Sequence, residues 1–212
     1  MKETFIQGIL AGCLIGLGGC SLLAVNLPIV NALFFAVCLL TIVQLQLKLY
    51  TGAIGYLGDG SDWKSLITMY CGNIVGVWGL ATIIQSSYLS LSERANDLIL
   101  NKAYLLTEIP LMDVLIVSIM CGVFVHIAVS VWKNEKVKSE VAKVVITLWA
   151  ISSFILCGFE HCIADMFYLF VASENVFPLI NQIMFIVLIT IGNSLGGLLS
   201  HNFYKISIDR IK

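Results

Sequence analysis

The sequence predicts an all-α membrane protein with six transmembrane helices, built as two inverted three-helix repeats in which helices 2 and 5 are interrupted at the midplane. Of its 212 residues 59% are hydrophobic and only 12% are charged, and the mean hydropathy is +0.96, a composition of membrane rather than globular proteins. A short glycine and asparagine motif also occurs twice. We therefore expect a single transmembrane domain over residues 1–212, with repeats at about 5–89 and 112–201.

The spans follow from the gaps between charged residues. The gaps after Glu3, Lys64, Asp113 and Glu174 are each long enough for one or two spans of about 20 residues. We expect helices at about 5–25, 29–47, 66–89, 112–132, 142–170 and 178–201. The first span has no small-residue cleavage site before the next apolar run, so we expect it to remain in the protein.

The basic residues predict the orientation. With six spans, one side of the membrane would carry Lys2, Lys64, Lys133, Lys136, Lys138, Lys143, Lys205, Arg210 and Lys212. The other side would carry only Arg94 and Lys102. The positive-inside rule therefore predicts a multi-pass protein of the cell (inner) membrane with both termini in the cytoplasm. No basic and aromatic cluster indicates a nucleic-acid partner.

The seven cysteines lie scattered through apolar spans and form no Cys-x-x-Cys pair. This pattern predicts neither a disulfide framework nor a zinc site. We expect them to fill helix contacts, and we expect no metal and no other cofactor.

The repeated motif is Gly-Asn-x-x-Gly. It occurs in "CGNIVGVWG" (71–79) and in "IGNSLGGLL" (191–199), and in each copy two glycines four residues apart allow a neighbouring helix to approach closely. Asn73 and Asn193 would then lie where a carboxamide can satisfy backbone groups of an adjacent broken helix. Each copy closes a group of three spans, which indicates two related halves.

Each half also contains one candidate helix break. The first is "LKLYTGAIGYLGDG" (47–60) with Gly52, and the second is "CGFEHCIADM" (157–166) with Gly158, about 110 residues further on. Three spans is an odd number, so the second half enters the membrane from the opposite side and both breaks come near the midplane. Non-helical backbone at that depth must line a cavity or be buried in protein, so we expect both breaks to face one central path.

These residues resemble the formate/nitrite transporter family. "GFEHCIADMF" is similar to the family signature Phe-Glu-His-x-x-Ala-Asn-Met, and "LKLYTGAIG" is similar to its Leu-Phe-Thr-Gly loop. The resemblance extends over all six spans. It implies an aquaporin-like pore in each protomer, a homopentamer in the lipid bilayer, and passage of small monovalent anions such as formate, nitrite, hydrosulfide or short carboxylates, together with protons.

The resemblance also implies residue roles. By resemblance, Thr51 is the loop threonine that meets the central histidine, His161. From their position beside these motifs we expect Lys48 and Asp165 to belong to the same central site. The apolar constriction comprises Phe35, Leu39, Leu49, Tyr50 and Phe154. Lys48, Gly122, His126 and Asp165 depart from the residues common in the family, which bears on the substrate more than on the fold.

Three ionisable residues, Glu160, His161 and Asp165, lie within the fifth predicted span. A charge inside the membrane is costly, so such groups are functional or paired. Burial favours neutral His161 at rest, whereas an arriving anion favours the imidazolium, so a weak acid could take a proton there or could cross as an anion that accepts a hydrogen bond. We expect Glu160 to accept from backbone N–H groups at the break, and Asp165 either to orient His161 or to pair with Lys48.

Other classes of protein are weaker interpretations. A proton-coupled transporter of acetate or lactate stays open. An integral-membrane enzyme or haem protein would need histidines at matching depth among His126, His161 and His201. A water or glycerol channel would repeat Asn-Pro-Ala, which this chain does not. A purely structural protein would not need a polar midplane.

Overall fold

The computed structural model describes residues 1–89, 91–172 and 178–209, and of these it describes 103–107 and 208–209 by backbone alone. Arg210 and Lys212, which contribute to the predicted orientation, lie outside the described residues. The described residues form nine α-helices: α1 (Lys2–Ala24), α2 (Pro28–Gln44), α3 (Tyr50–Ala53), α4 (Trp63–Gln85), α5 (Leu91–Thr107), α6 (Leu111–Lys133), α7 (Glu140–Leu156), α8 (Cys162–Val171) and α9 (Leu179–Asp209). A short 3-10 turn, Ile54–Tyr56, follows α3. The predicted all-α class is confirmed.

Four of the described helices are long and apolar enough to cross a membrane, namely α1, α4, α6 and α9. Each of the first three has 23 residues and is about 35 Å long, against a hydrocarbon core of about 30 Å. They correspond to the first, third, fourth and sixth predicted spans. In the second predicted span α2 ends at Gln44, and the fifth is divided between α7 and α8, with residues 157–161 between them.

Two helix pairs, α1 with α4 and α6 with α9, pack along much of their lengths. Glycines bring their backbones into contact. A methyl group added at Gly12 would run into the main chain of Asn73, and one added at Gly122 would run into the main chain of Asn193. The glycines of the repeated motif make the same kind of contact from the other helix of each pair, because a methyl group would lie 2.9 Å from the Cys13 nitrogen at Gly76 and 2.9 Å from the Val123 nitrogen at Gly196.

The two short helices lie between these pairs. α8 is surrounded by α1, α4, α5 and α9, and eight of its ten residues are buried. α3 contacts α4, α6 and α9. Both elements are thus enclosed by protein, as a helix start inside an apolar bundle requires.

Helix α5 is absent from the predicted spans. Its buried residues Leu91, Ala95 and Ile99 recur at every fourth position, whereas its outer face is charged. A search for long apolar runs does not detect such an amphipathic helix. Arg94 fixes it to α1, because the guanidinium donates to the carbonyl of Leu23 at 2.7 Å near the carboxyl end of that helix.

We predict that Gly122→Ala lowers the stability of the protein by about 1–3 kcal/mol, the usual cost of overpacking. The added methyl group would lie against the main chain of Asn193, with the Asn193 Cα at 2.9 Å. The thermal unfolding midpoint of the purified protein in detergent measures the effect. Gly79→Ala is the matched control, because a methyl group there meets nothing within 4 Å. Equal midpoints for the two variants would contradict the prediction.

Candidate functional site

Helix α2 ends in a left-handed turn. Gln46 has φ of 53°, which is uncommon for a residue other than glycine. The Leu47 N–H donates to the carbonyl of Ile42 at 2.9 Å, and the Gln46 N–H donates to that of Val43 at 3.1 Å. These two bonds form a Schellman motif, which satisfies the last carbonyl groups of a helix.

Helix α7 ends in the same motif. Gly158 has φ of 69°, a conformation that glycine adopts without strain. The Phe159 N–H donates to the carbonyl of Phe154 at 3.0 Å, and the Gly158 N–H donates to that of Ile155 at 3.1 Å. Each of these residues follows its counterpart in α2 by 112 positions.

The Asn73 side chain holds the first break in place. Its Oδ1 accepts from the N–H of Tyr50 at 2.9 Å, at the start of α3. Its Nδ2 donates to the carbonyls of Gly8 in α1 and Lys48 in the break, each at 2.9 Å. One buried carboxamide therefore satisfies three main-chain groups from two segments.

The Asn193 side chain makes the equivalent three bonds at the second break. Its Oδ1 accepts from the N–H of Cys162 at 2.9 Å. Its Nδ2 donates to the carbonyls of Ser118 in α6 and Glu160 in the break, each at 2.8 Å. Each asparagine thus contacts the main chain at the start of a short helix and in the segment just before it.

Thr51 and His161 meet between the two breaks. The Thr51 Oγ1 and His161 Nε2 atoms are 3.0 Å apart, and both side chains are buried. His161 is also the N-cap of α8, because its Nδ1 accepts from the N–H of Ala164 at 3.2 Å. Both ring nitrogens are therefore engaged.

An aromatic stack lies against His161. The Phe154 ring stacks on the imidazole with a centroid distance of 6.0 Å, and the Phe35 ring meets Phe154 edge-on at 6.1 Å. Leu39 follows Phe35 by one turn of α2 and is fully buried. Phe35, Leu39 and Phe154 thus make the surroundings of His161 apolar on this side.

Two cavities approach this region. The Lys102 cavity, of about 290 Å³, is lined by residues that include Phe35, Lys102, Phe154, Glu160, His161 and Asp165. The Lys133 cavity, of about 700 Å³, is lined by residues that include Lys48, Leu49, Gly52, Met69, Trp132 and Lys133. Each cavity therefore has at least one lysine in its wall.

Lys102 is a site residue that the sequence did not reveal. Its ammonium donates to Glu160 Oε2 and lies 2.9 Å from Asp165 Oδ1. All three side chains are largely enclosed, with 11% of Lys102, 6% of Glu160 and 3% of Asp165 exposed. Lys102 lies on α5, a helix that is absent from the predicted spans, and its ammonium is paired with both carboxylates. An amphipathic pattern over residues 91–107 was the signal that could have placed it on a helix.

This cluster corrects two predictions about carboxylates. The pairing of Asp165 with Lys48 is wrong, because Asp165 contacts Lys102 and Lys48 lines the other cavity. The Glu160 carboxylate does not accept from the main chain at the break, because it is paired with Lys102. The main-chain carbonyl of Glu160 accepts from Asn193 instead.

The predicted constriction residues do not all lie in the path. Leu49 lines the Lys133 cavity. Tyr50 does not line either cavity, because its hydroxyl is 2.8 Å from Ser194 Oγ and its ring packs on Tyr70. Gly52 lets α3 approach α6, since a methyl group there would lie 2.9 Å from a Val129 carbon.

His126 and His201 form a separate group. Their ring centroids are 5.4 Å apart, and the Tyr56 ring lies against both. His201 Nε2 is 3.0 Å from Asp59 Oδ2, and Lys205 donates to the same oxygen at 2.7 Å. These contacts, with that of Lys205 the stronger, hold the pKa of Asp59 below its usual range. The cluster links the loop after α3 to the end of α9.

Apolar helices that enclose a buried threonine and histidine in contact, together with two cavities that each have a lysine in the wall, are typical of a membrane channel or transporter. The chain belongs to the formate/nitrite transporter family, whose sequence profile, described as "Formate/nitrite transporter", matches residues 1–205.

Individual relatives have low sequence identity but align over long parts of the chain. The nitrite transporter NirC of Escherichia coli K12 is 25% identical over 214 residues, which cover 91% of this chain and 78% of the relative. The formate channel FocA of Haemophilus influenzae Rd is 26% identical over 149 residues, covering 66% of this chain and 52% of the relative.

Solved structures share the fold. A structure titled "Pentameric formate channel with formate bound" matches with a TM-score of 0.81 and 20% identity, covering 100% of this chain and 98% of the other. One titled "FNT family ion channel" matches with a TM-score of 0.80 and 22% identity, covering 96% and 89%. At these identities the likeness establishes the architecture alone.

We predict that Asn193→Asp destabilises the protein by at least about 2 kcal/mol. The substitution keeps the oxygen that accepts from Cys162 but removes the NH₂ group that donates to two buried carbonyls. Thermal unfolding in detergent measures the loss. Asn26→Asp, in an exposed turn, makes the same chemical change without those contacts. If both variants unfold at the same temperature, the carboxamide does not stabilise the break.

Proposed function

We propose that this chain is a channel or transporter for small monovalent anions of weak acids, of the formate, nitrite or hydrosulfide class, which pass through a pore in each protomer beside His161. The observation that carries the proposal is the 3.0 Å contact of Thr51 with His161. His161 lines the Lys102 cavity, and Gly52, the neighbour of Thr51 in the chain, lines the Lys133 cavity. The printed names of the relatives, a nitrite transporter and a formate channel, support the same substrate class.

The charges around the path suit an anion. Lys48 and Lys133 stand in the Lys133 cavity, whereas Lys102 in the other cavity is paired with Glu160 and Asp165. The amino end of α8, at His161, carries the positive end of a helix dipole. A hydrated ion would lose its water at Phe35 and Phe154, so passage requires a group there that replaces the water. The Nε2 side of His161 and the Thr51 hydroxyl are such groups.

The proposed architecture is six spans in two inverted halves, with the second and fifth spans interrupted near the midplane. Its support is the matching set of contacts in the two halves. Asn73 and Asn193 each bind the start of one short helix, the break before it and one long helix. Since each half has three spans, the two sets of contacts would be related by an axis in the membrane plane.

We further propose that the protein is a homopentamer of the cell (inner) membrane with both termini in the cytoplasm. One matched structure is titled a pentameric channel. Many large apolar side chains point outward, among them Leu17, Phe34 and Trp78, as contact with lipid or with other protomers requires. The distribution of lysine and arginine supports the orientation.

The enzyme or haem alternative receives no support from His161. The Nδ1 of His161 already caps α8, and an iron bound at Nε2 would have to displace Thr51. Acetate or lactate transport differs from the main proposal only in the size of the anion, so flux measurements distinguish them.

We predict that proteoliposomes take up formate, nitrite or hydrosulfide faster than empty liposomes, and that His161→Asn lowers this flux about tenfold or more. Asparagine can still cap α8, but it removes the imidazole that would bind the anion. A hydrogen bond to a charged group contributes about 1.5–3 kcal/mol, which sets the size of the effect. Acetate uptake and a pH series are measured alongside. If no anion exceeds the empty liposomes, the proposed function is wrong.

We predict that Phe35→Ala raises the flux of acetate relative to formate at least severalfold. Shortening this side chain opens the constriction formed with Phe154, so the pore discriminates less by size. Competition between the two anions in proteoliposomes measures the ratio. Phe34→Ala is the matched control, because the neighbouring ring is 52% exposed on the outer surface. An unchanged ratio in the Phe35 variant would remove that residue from the pathway.

A further inference from the structure

The hydrogen bonds of His161 disfavour the binding of a second proton to its ring. Its Nδ1 accepts a hydrogen bond from the Ala164 N–H, so that nitrogen carries no hydrogen. The single proton of the neutral ring is therefore on Nε2, where the ring donates to Thr51 Oγ1. An imidazolium would lose the cap of α8 and would place a positive charge at the positive end of the helix dipole. A proton for the passing anion must come from another group.

The Lys102, Glu160 and Asp165 cluster is the nearest source in the same cavity. One ammonium is in contact with two carboxyl groups, and all three are enclosed by protein. With both carboxyls ionised the cluster would carry one uncompensated negative charge, away from water. Two carboxylates that share one cation at such a site cannot both ionise readily, so the pair retains one proton.

Asp165 is the member best placed to hold that proton. Lys102 donates to Glu160 Oε2 and to Asp165 Oδ1, whereas Asp165 Oδ2 is buried and has no hydrogen-bond partner among the described residues. A carboxylate oxygen without a donor costs more in free energy than a hydroxyl that can turn toward a passing acceptor. The other titratable groups that interact with this carboxyl are Cys121 of α6 and Cys162 and Tyr168 of α8, together with Glu160 and Lys102. Apart from Lys102, none of these groups is a cation that would stabilise a second negative charge.

We propose that Asp165 is a neutral carboxylic acid at rest and that it donates its proton to a weak-acid anion in the Lys102 cavity. This inference rests on the proposed function. In the step, the O–H bond of Asp165 breaks and a new bond to hydrogen forms on the anion, so the anion leaves as the neutral acid and Asp165 becomes a carboxylate. Lys102 then has two carboxylates to neutralise, and a proton from water on that side restores the resting state.

The step has a consequence for the substrate class. An anion of a weak acid, such as formate, nitrite or acetate, can accept the proton and cross the constriction of Phe35 and Phe154 uncharged. An anion of a strong acid, such as chloride or nitrate, cannot accept it and must cross that apolar region with its charge.

The test combines infrared spectroscopy with flux measurements on the full-length protein in lipid. We expect wild-type protein at neutral pH to show the carbonyl stretch of a protonated carboxylic acid, and Asp165→Asn to lose it. Asparagine has the size and charge of the protonated acid, so the variant keeps Lys102 paired with Glu160. Labelling aspartate with carbon-13 in the wild-type protein shifts an Asp165 band but not a Glu160 band, which assigns the signal even if the variant does not fold.

The flux arm measures formate uptake and acidification of the vesicle interior together. We expect Asp165→Asn to reduce the proton-coupled uptake at least tenfold, while Asp97→Asn, on the exposed face of α5, leaves it unchanged. A wild-type spectrum without an aspartic acid band, or coupled uptake unaffected in the Asp165 variant, overturns the inference. Absence of flux in wild type, by contrast, would overturn the proposed function and the transfer step together, with the infrared result still deciding the resting state of Asp165.

Discussion

The architecture depends on how main-chain groups are satisfied where a helix stops inside an apolar bundle. Each unsatisfied N–H or C=O in such surroundings costs several kcal/mol, so a break is stable only with dedicated partners. Asn73 and Asn193 supply those partners with three hydrogen bonds each. Because each carboxamide also binds a long helix, it fixes the position of the break within the bundle. The contact of Thr51 with His161 follows from that placement.

The repeated motif was predictable because its parts act together over one turn of helix. Gly72 and Gly76 allow α4 to approach α1, and Asn73 then reaches a main-chain carbonyl of α1. Gly192 and Gly196 allow α9 to approach α6, and Asn193 then reaches a main-chain carbonyl of α6. The residues that make the contact are neighbours in sequence, so the pattern alone indicates it.

The remaining site residues depend on contacts between distant segments. Lys102 and Glu160 are 58 residues apart in the sequence. Lys102 lies on α5, an amphipathic helix that contains no long apolar run. The direction of a side chain such as Tyr50 changes by about 100° with each step along a helix, so a motif match does not determine whether the ring faces the path. The pairing of Asp165 with Lys48 was wrong for a related reason, because each residue lies near a helix break but they line different cavities.

The spacing of 112 residues between the two breaks has a further consequence. By that spacing the counterpart of His161 is Leu49, and the counterpart of Thr51 is Ile163, although Thr51 and His161 themselves contact each other. The backbone therefore repeats while the polar pair occurs once, with one partner drawn from each half. Two copies of either half, assembled alone, would set Thr51 against Leu49 or His161 against Ile163. The contact of Thr51 with His161 therefore requires both segments, each with its own present sequence.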